Sequence, residues 1–231
     1  MIAAALDRGV ALRECFVGAD AAADVRAVAD RTAANGVEMR TLPAGSAARI
    51  GDTQHPQPIF AVAPMRRVGA EGVAGADLAL VAARVGDPGN AGTMMRGAAA
   101  AGAQVIVLGA GSVDAYNPKV VRASAGACFA VRVVEGCAAV EILATLRSQG
   151  VSCLGASAHG GKPPEELDLR APTAFVLGNE TQGLDPALPL DGTVTLPMAA
   201  GESINAAMAG TALLFEAARQ RRAAHAESGH A

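Results

Sequence analysis

The stretch LALVAARVGDPGNAGTMMRGAAAAGAQVIVLGA, residues Leu78 to Ala110, decides the fold class. Leu78 to Arg84 and Gln104 to Ala110 are short, nearly unbroken apolar runs, which is how strands read when a sheet is covered on both faces. Between them Gly86-Asp87-Pro88-Gly89-Asn90 turns the chain, and small residues continue it as a helix, with Pro88 where a helix start tolerates proline. Downstream the alternation repeats. Apolar runs recur at Phe129 to Val134, Val151 to Ala156, Ala174 to Glu180 and Val194 to Met198, with helical segments between them. The chain from residue 77 therefore predicts an open α/β domain built on a mostly parallel sheet. Its last helix carries Ile204, Met208, Leu213, Leu214 and Phe215 at helical spacing and closes in Arg219, Arg221 and Arg222, cations that suit a helix C-terminus. The domain is predicted to end at residue 222, with 223–231 as a frayed tail.

Upstream, an apolar opening helix, a strand at Leu12 to Gly18, a helix from about Ala21 to Asn35 and strands at Val37 to Leu42 and Pro58 to Pro64 predict a small α/β unit over residues 1–67. RRVGAEGVAGA, Arg66 to Ala76, mixes Gly with short polar residues and has neither a helical nor a strand period. Residues 68–76 read as a linker.

Composition narrows the function classes. With 51% hydrophobic and 18% charged residues over 231, the chain can bury a substantial core, so a disordered or fibrous protein is excluded. Aromatic residues make up 3% and there is no Trp, which leaves no broad stacking platform for bases. The formal net charge of −3 excludes a globally basic coat protein. Among the cations only Lys119 and Lys162 are lysines, and arginine is the side chain whose planar fork fits phosphate. Cys15, Cys128, Cys137 and Cys153 are dispersed without a C-x-x-C pair, so neither a zinc ribbon nor a disulfide framework is encoded, and buried thiols in a reducing compartment are expected. No apolar run reaches about 18 residues and no basic leader precedes a hydrophobic segment, which predicts a cytoplasmic protein.

Three segments rich in Gly and Asn adjoin predicted strands, and ligands of open α/β sheets bind beyond the carboxyl ends of strands. In Ala83 to Gly102, Asn90 falls near the helix start and Arg96 about one and a half turns later. An arginine on a helix is, by itself, most often a solvated charge. In FVLGNETQGLD, Phe175 to Asp185, Gly178 and Gly183 permit close backbone approach, and Glu180 lies in the loop. In LPMAAGESINAAMAGTALLFEAARQ, Leu196 to Gln220, Ser203 reads as the N-cap of the last helix, which leaves Asn205 in the first turn, where Asn is a mediocre helix former.

Together and in this order, GDPGNAGTMMRGAAAAG, FVLGNETQGL and LPMAAGESINAAMAGTALLFE resemble the three signature motifs of the SpoU (TrmH-like) class of SPOUT RNA ribose 2′-O-methyltransferases. The first 67 residues are similar to the L30e-like substrate-binding domain of rRNA-modifying members. DTQHPQP retains part of that family's usual run, and relatives carry roughly one more helix and strand ahead, so this domain is expected to be N-terminally shortened. The resemblance implies a SPOUT α/β knot with a deep C-terminal trefoil, a homodimer, RNA as partner, and S-adenosylmethionine as cofactor, with no metal and no membrane. It implies catalytic roles for Asn90, Arg96, Glu180, Ser203 and Asn205, and cofactor contacts from Leu177, Gly178, Leu196, Met198 and Ile204. Arg66, Arg67, Lys119, Arg122 and Arg132 are the candidate RNA-phosphate contacts. In the family the counterpart of Arg96 is proposed as the base, but a guanidinium holds its proton to above about pH 12 and suits a clamp on phosphate and on the developing alkoxide. Glu180 would pair with Arg96 or brace the loops.

The upstream domain favours ribosomal RNA, 23S rRNA first, over transfer RNA. Rival readings are weaker. LGAGSVD, Leu108 to Asp114, begins like a dinucleotide fingerprint but has Asp114 where the third Gly belongs, and GASAHG, Gly155 to Gly160, lacks the second Gly of a nucleophile elbow. A non-catalytic RNA-binding protein that keeps the fold is the remaining alternative, and the intact polar residues of the three motifs argue against it.

Overall fold

A computed structural model describes residues 1–51, 53–179, 182–201 and 203–228. The chain divides into two units, Met1–Arg66 and Arg67–Ala231. In the first, α1 (Ile2–Asp7), β1 (Glu14–Gly18), α2 (Ala23–Ala34), β2 (Glu38–Leu42), α3 (Ala47–Ile50) and β3 (Ile59–Val62) follow in order. The three strands form a sheet in the order β2-β1-β3, with β2 parallel to β1 and β3 antiparallel to it, Phe16 opposite Phe60. Ala5, Cys15, Ala21, Val25 and Ala29 make a core of small side chains. Burial pushes the Cys15 thiol above the ordinary cysteine range, so it stays protonated.

The second unit carries β4 (Leu78–Ala82), α4 (Pro88–Ala101), β5 (Val105–Leu108), α5 (Pro118–Ala123), β6 (Arg132–Glu135), α6 (Ala139–Ser148), β7 (Ser152–Ala156), β8 (Thr173–Leu177), β9 (Gly192–Val194) and α7 (Ala206–Ser228). Its six strands lie in the order β6-β5-β4-β8-β7-β9, each neighbouring pair parallel. Strand alternation sorts the apolar runs onto two faces. Leu78, Leu80, Leu108, Phe175 and Leu177 pack with Met94, Met95, Leu213 and Leu214 of α4 and α7. Ala79, Val81, Val105, Val107 and Val176 pack with Ile142, Leu143 and Leu146 of α6. Each large aliphatic side chain so buried contributes about 1.5–3 kcal/mol, and filling both faces is what made the strands read as continuous apolar runs.

The small residues of α4 serve an approach as well as a helix. A Cβ on Gly97 would sit 2.2 Å from Thr211 Oγ1 of α7, and one on Gly92 would sit 2.4 Å from the Ala123 Cβ of α5. Glycine at these positions lets both neighbours press against α4.

The boundary falls at Arg66–Arg67, and residues 68–76, expected as a linker, fold onto the second unit. Ala70–Val73 form a 3₁₀ turn, Gly72 and Val73 are buried, and Val68 accepts a backbone hydrogen bond from Glu135 of β6. The buried Val73 and Ala76 outweigh the glycine content that suggested a loop. The predicted strand Val194 to Met198 is also corrected: β9 ends at Val194, and Leu196 to Met198 lie beyond it. Helix α7 continues through Ser228, so residues 223–228 are helical rather than frayed. No described helix is long and apolar enough to cross a membrane.

Candidate active site

Strand order reverses beside β4, whose neighbours are β5 on one side and β8 on the other. Such a switch point opens a crevice at the carboxyl ends of the strands. There the connection after β4 turns into α4 through Asp87, an extended residue whose carboxylate Oδ1 accepts from Asn90 N at 2.7 Å, with Pro88 at the first helical position. The start of α7 corrects the sequence reading. Asn205, not Ser203, is the cap: its Oδ1 accepts from Ala207 N at 2.9 Å and from Met208 N at 3.3 Å. A capped turn stabilises a helix by about 1 kcal/mol, and this accounts for an Asn where a helix former was expected. The remaining half of the Asn205 amide, Nδ2, donates to Asn90 Oδ1 at 2.9 Å, joining the two helix starts.

After β8 the chain doubles back at once. Asn179 and Gly183 exchange two backbone hydrogen bonds, of 2.9 and 2.8 Å, and Asn179 Oδ1 accepts from Gln182 N. Gly183 adopts φ +71°, and a Cβ on Gly178 would stand 2.1 Å from the Gly183 carbonyl carbon, so only glycine fits at 178. After β7, Ser157 N donates to Val194 O, Lys162 N to Thr193 O and Thr195 N to Lys162 O, which stitches that loop to the exit of β9.

These loops and the start of α7 enclose one cavity of about 470 Å³. Of the residues predicted from sequence, Asn90, Leu177, Gly178, Leu196, Met198, Ser203, Ile204 and Asn205 all line it. Arg96 does not: it is exposed on α4, and among the described residues it forms neither an ion pair nor a hydrogen bond. Glu180 lies outside the described residues. Sequence reading missed Ser157, Ala158 and Asn179, which also line the cavity. The one signal for the first two was their place at the carboxyl end of β7.

The five candidate RNA contacts do not gather at this cavity. Arg67 is held by Asp114 at 3.1 Å and by Glu135, and Arg132 donates to the carbonyls of Gly72 and Ala74 at 2.7 and 3.0 Å. Both therefore serve the fold, and the hydrogen bond from Tyr116 N, with the Arg67 guanidinium, holds the Asp114 carboxyl below its ordinary range. Arg66, Lys119 and Arg122 are exposed. Among the described residues no cluster of His, Cys, Asp and Glu has the makings of a metal centre.

A model of the SpoU rRNA Methylase family matches residues 77–215. The chain belongs to this family. This SpoU methylase is 34% identical over 183 residues to the 23S rRNA (guanosine(2553)-2'-O)-methyltransferase RlmP of Bacillus subtilis, a match that covers 78% of the chain and 72% of the relative. It is 39% identical over 142 residues to the 23S rRNA (uridine(2479)-2'-O)-methyltransferase of Streptomyces viridochromogenes, covering 58% of the chain and half of that longer relative. Among solved structures, the SpoU methyltransferase AviRb from Streptomyces viridochromogenes in complex with the cofactor AdoMet matches with a TM-score of 0.81 at 27% identity, covering 96% of this chain and 88% of that one. The AdoMet-bound rRNA methyltransferase from Sinorhizobium meliloti has the same TM-score and identity, covering 94% and 84%. The mostly parallel six-stranded sheet of this SpoU methylase is thus the fold of those enzymes.

Proposed function

We propose that this SpoU methylase transfers the methyl group of S-adenosylmethionine to a ribose 2′-hydroxyl of RNA, with 23S rRNA as the substrate. The observation that carries the reading is convergence: Asn90, Leu177–Gly178 and Leu196–Asn205, far apart in sequence, wall one cavity at the switch point of a parallel sheet. The relatives named above act on 23S rRNA by their names, and the solved neighbours hold AdoMet.

The residues fit that cofactor. Leu177, Val194, Leu196 and Leu213 offer apolar walls for a flat ring, and Gly178 and Gly183 bring bare backbone to the cavity's edge. At about 470 Å³ the space lies within the range of small-molecule sites. When bound, S-adenosylmethionine supplies a methyl group already activated on a sulfonium. The chain's part is to exclude water with the apolar walls, to hold the ribose with Asn90 and Ser203 at the polar edge, and to place positive charge where the oxygen becomes anionic. Arg96 supplies that charge. Six residues past Asn90, it lies about 9 Å along α4 and about 240° around it, exposed to an RNA phosphate rather than turned into the cavity, and its guanidinium is too basic to accept the hydroxyl proton.

A homodimer belongs to the same reading. Ile204, Met208 and Phe215 line one side of α7 from the cavity outward and are 45%, 64% and 44% exposed, a stripe that a second copy covers. Residues 1–66 serve as the RNA-binding unit, with Arg66, Lys119 and Arg122 as phosphate contacts, and the trefoil knot of the family accompanies loops that converge before α7 packs back on α4, β4 and β8.

The test is methyl transfer to 23S rRNA and to transfer RNA in vitro, with the modified ribose mapped. Arg96→Ala is expected to lower transfer by at least about 100-fold, the loss of one transition-state charge contact, with cofactor affinity retained in a calorimetric titration. Absence of ribose methylation by the wild-type protein, or wild-type turnover by Arg96→Ala, refutes the assignment.

A further inference from the structure

The joined helix starts dictate which chemical face Asn90 shows to the cavity. Backbone N–H groups can only donate, so the Asn205 atom that meets Ala207 N and Met208 N must be Oδ1, and the atom that reaches Asn90 must be Nδ2. Nδ2 in turn can only donate, so the Asn90 atom 2.9 Å away must be Oδ1. Turning the Asn90 amide over would set donor against donor. The backbone of Asn90 is pinned separately, by the Asp87 carboxylate on its N–H. With Oδ1 committed to Asn205, the amide atom that Asn90, a cavity-lining residue, offers to a ligand is Nδ2, a donor.

We infer that Asn205 is a positioning residue that fixes the amide of Asn90, so that Asn90 donates to an oxygen of the target ribose and never presents its carbonyl there. The inference rests on the methyltransferase reading above and adds a direction to it. An oxygen that loses a proton as it is methylated gains from a fixed donor and is opposed by a fixed acceptor. Asn205 does this without touching the ribose, because both ends of its own amide are occupied by protein.

Asn205→Asp separates this role from capping. Aspartate caps a helix as well as asparagine does, so α7 keeps its start, but a carboxylate facing Asn90 makes that amide turn over and give it Nδ2, which swings Oδ1 toward the cavity. The expected result is a fall in kcat of about 100-fold, the scale for loss of one preorganised donor, with cofactor affinity and melting temperature close to wild type. Asn90→Ala is expected to lose a similar factor. In the Asn90→Ala background Asn205→Asp is expected to cost nothing further, because there is no amide left to invert. Asn205→Ser, which caps without reaching Asn90, releases the amide instead of inverting it and falls between wild type and Asn205→Asp. Wild-type kcat in Asn205→Asp, or an equal loss in both backgrounds, overturns the inference, the second outcome marking simple repulsion of RNA by the new charge.

A measurement independent of turnover tests the lock itself. The side-chain amide protons of Asn205 are expected to exchange slowly in the wild-type protein and at least about tenfold faster in Asn90→Ala, and equal rates overturn the inference. If instead the methyltransferase reading is at fault, the wild-type protein fails to methylate RNA while the exchange contrast persists.

Discussion

Replacing Gly178 by Ala tests whether the loop after β8 is built around a missing side chain. The added Cβ would stand 2.1 and 2.2 Å from the Gly183 carbonyl carbon and oxygen and 2.4 Å from Leu184 N, all backbone atoms with no rotamer to yield. Restoring ordinary contact, 3.4 Å or more, requires the strand exit and the returning loop to part by more than about 1 Å. The two backbone hydrogen bonds between Asn179 and Gly183 cannot survive that movement. At about 1 kcal/mol each, their loss destabilises the second unit by about 2 kcal/mol, or a melting temperature lower by about 4–8 °C for a unit of this size. The same displacement moves one wall of the cavity, since Gly178, Asn179 and Gly183 all line it. Every 1.4 kcal/mol of lost contact weakens binding about tenfold, so affinity for S-adenosylmethionine is expected to fall by at least that factor. Differential scanning fluorimetry and calorimetric titration measure the two effects. A Gly178→Ala variant that melts and binds like wild type would show that the loop has slack, and the close-packed account of this wall would be wrong.

Two further outcomes follow from features outside the cavity. Met208→Glu puts a charge in the middle of the exposed stripe on α7 and is expected to shift the protein from dimer to monomer in light scattering at micromolar concentration. An unchanged dimer would remove that stripe from the interface. Cys153, on buried β7, has its thiol pushed up to about 11, first by burial and then by the charge of Asp191. Because the folded value lies above the unfolded one, of about 8.5, the neutral thiol's contribution to stability is complete below about pH 8.5 and is lost as pH rises through about 11. Accordingly Cys153 should resist iodoacetamide at pH 8 in the folded protein while Cys137, partly exposed, reacts faster. Equal rates by peptide mapping would contradict the assignment.

The strands were legible because a sheet covered on both faces leaves no polar positions to confuse the reading, and β4, β5 and β8 fall within the runs quoted first. Elsewhere the same residue types served a different end. Leu196 and Met198 are apolar because they line a cavity, not because they belong to a strand, and pattern alone does not separate the two. The segment 68–76 hid a buried Val73 among glycines. Ser203 and Asn205 are both good caps, and the choice depends on α4: only a side chain with an acceptor at one end and a donor at the other can cap α7 and also hold Asn90. Ser157 and Ala158 carry no distinguishing chemistry, so nothing but the spatial order of β7 beside β8 points to them. The motif positions themselves were legible through their resemblance to a family, and the exposure of Arg96 was not, because a helical period fixes a face only after its partner helix is known.

The hydrogen bond between Asn90 and Asn205 spans 115 residues of chain. As the polypeptide leaves the ribosome, β4 and α4 are complete long before α7 has been made, and closing so long a loop is among the slow steps of folding. Until that last helix docks, the cavity has no closing wall. Small-molecule capture therefore waits for nearly the whole chain, and a nascent fragment that still lacks α7 has no completed pocket to draw on the cell's methyl-donor pool.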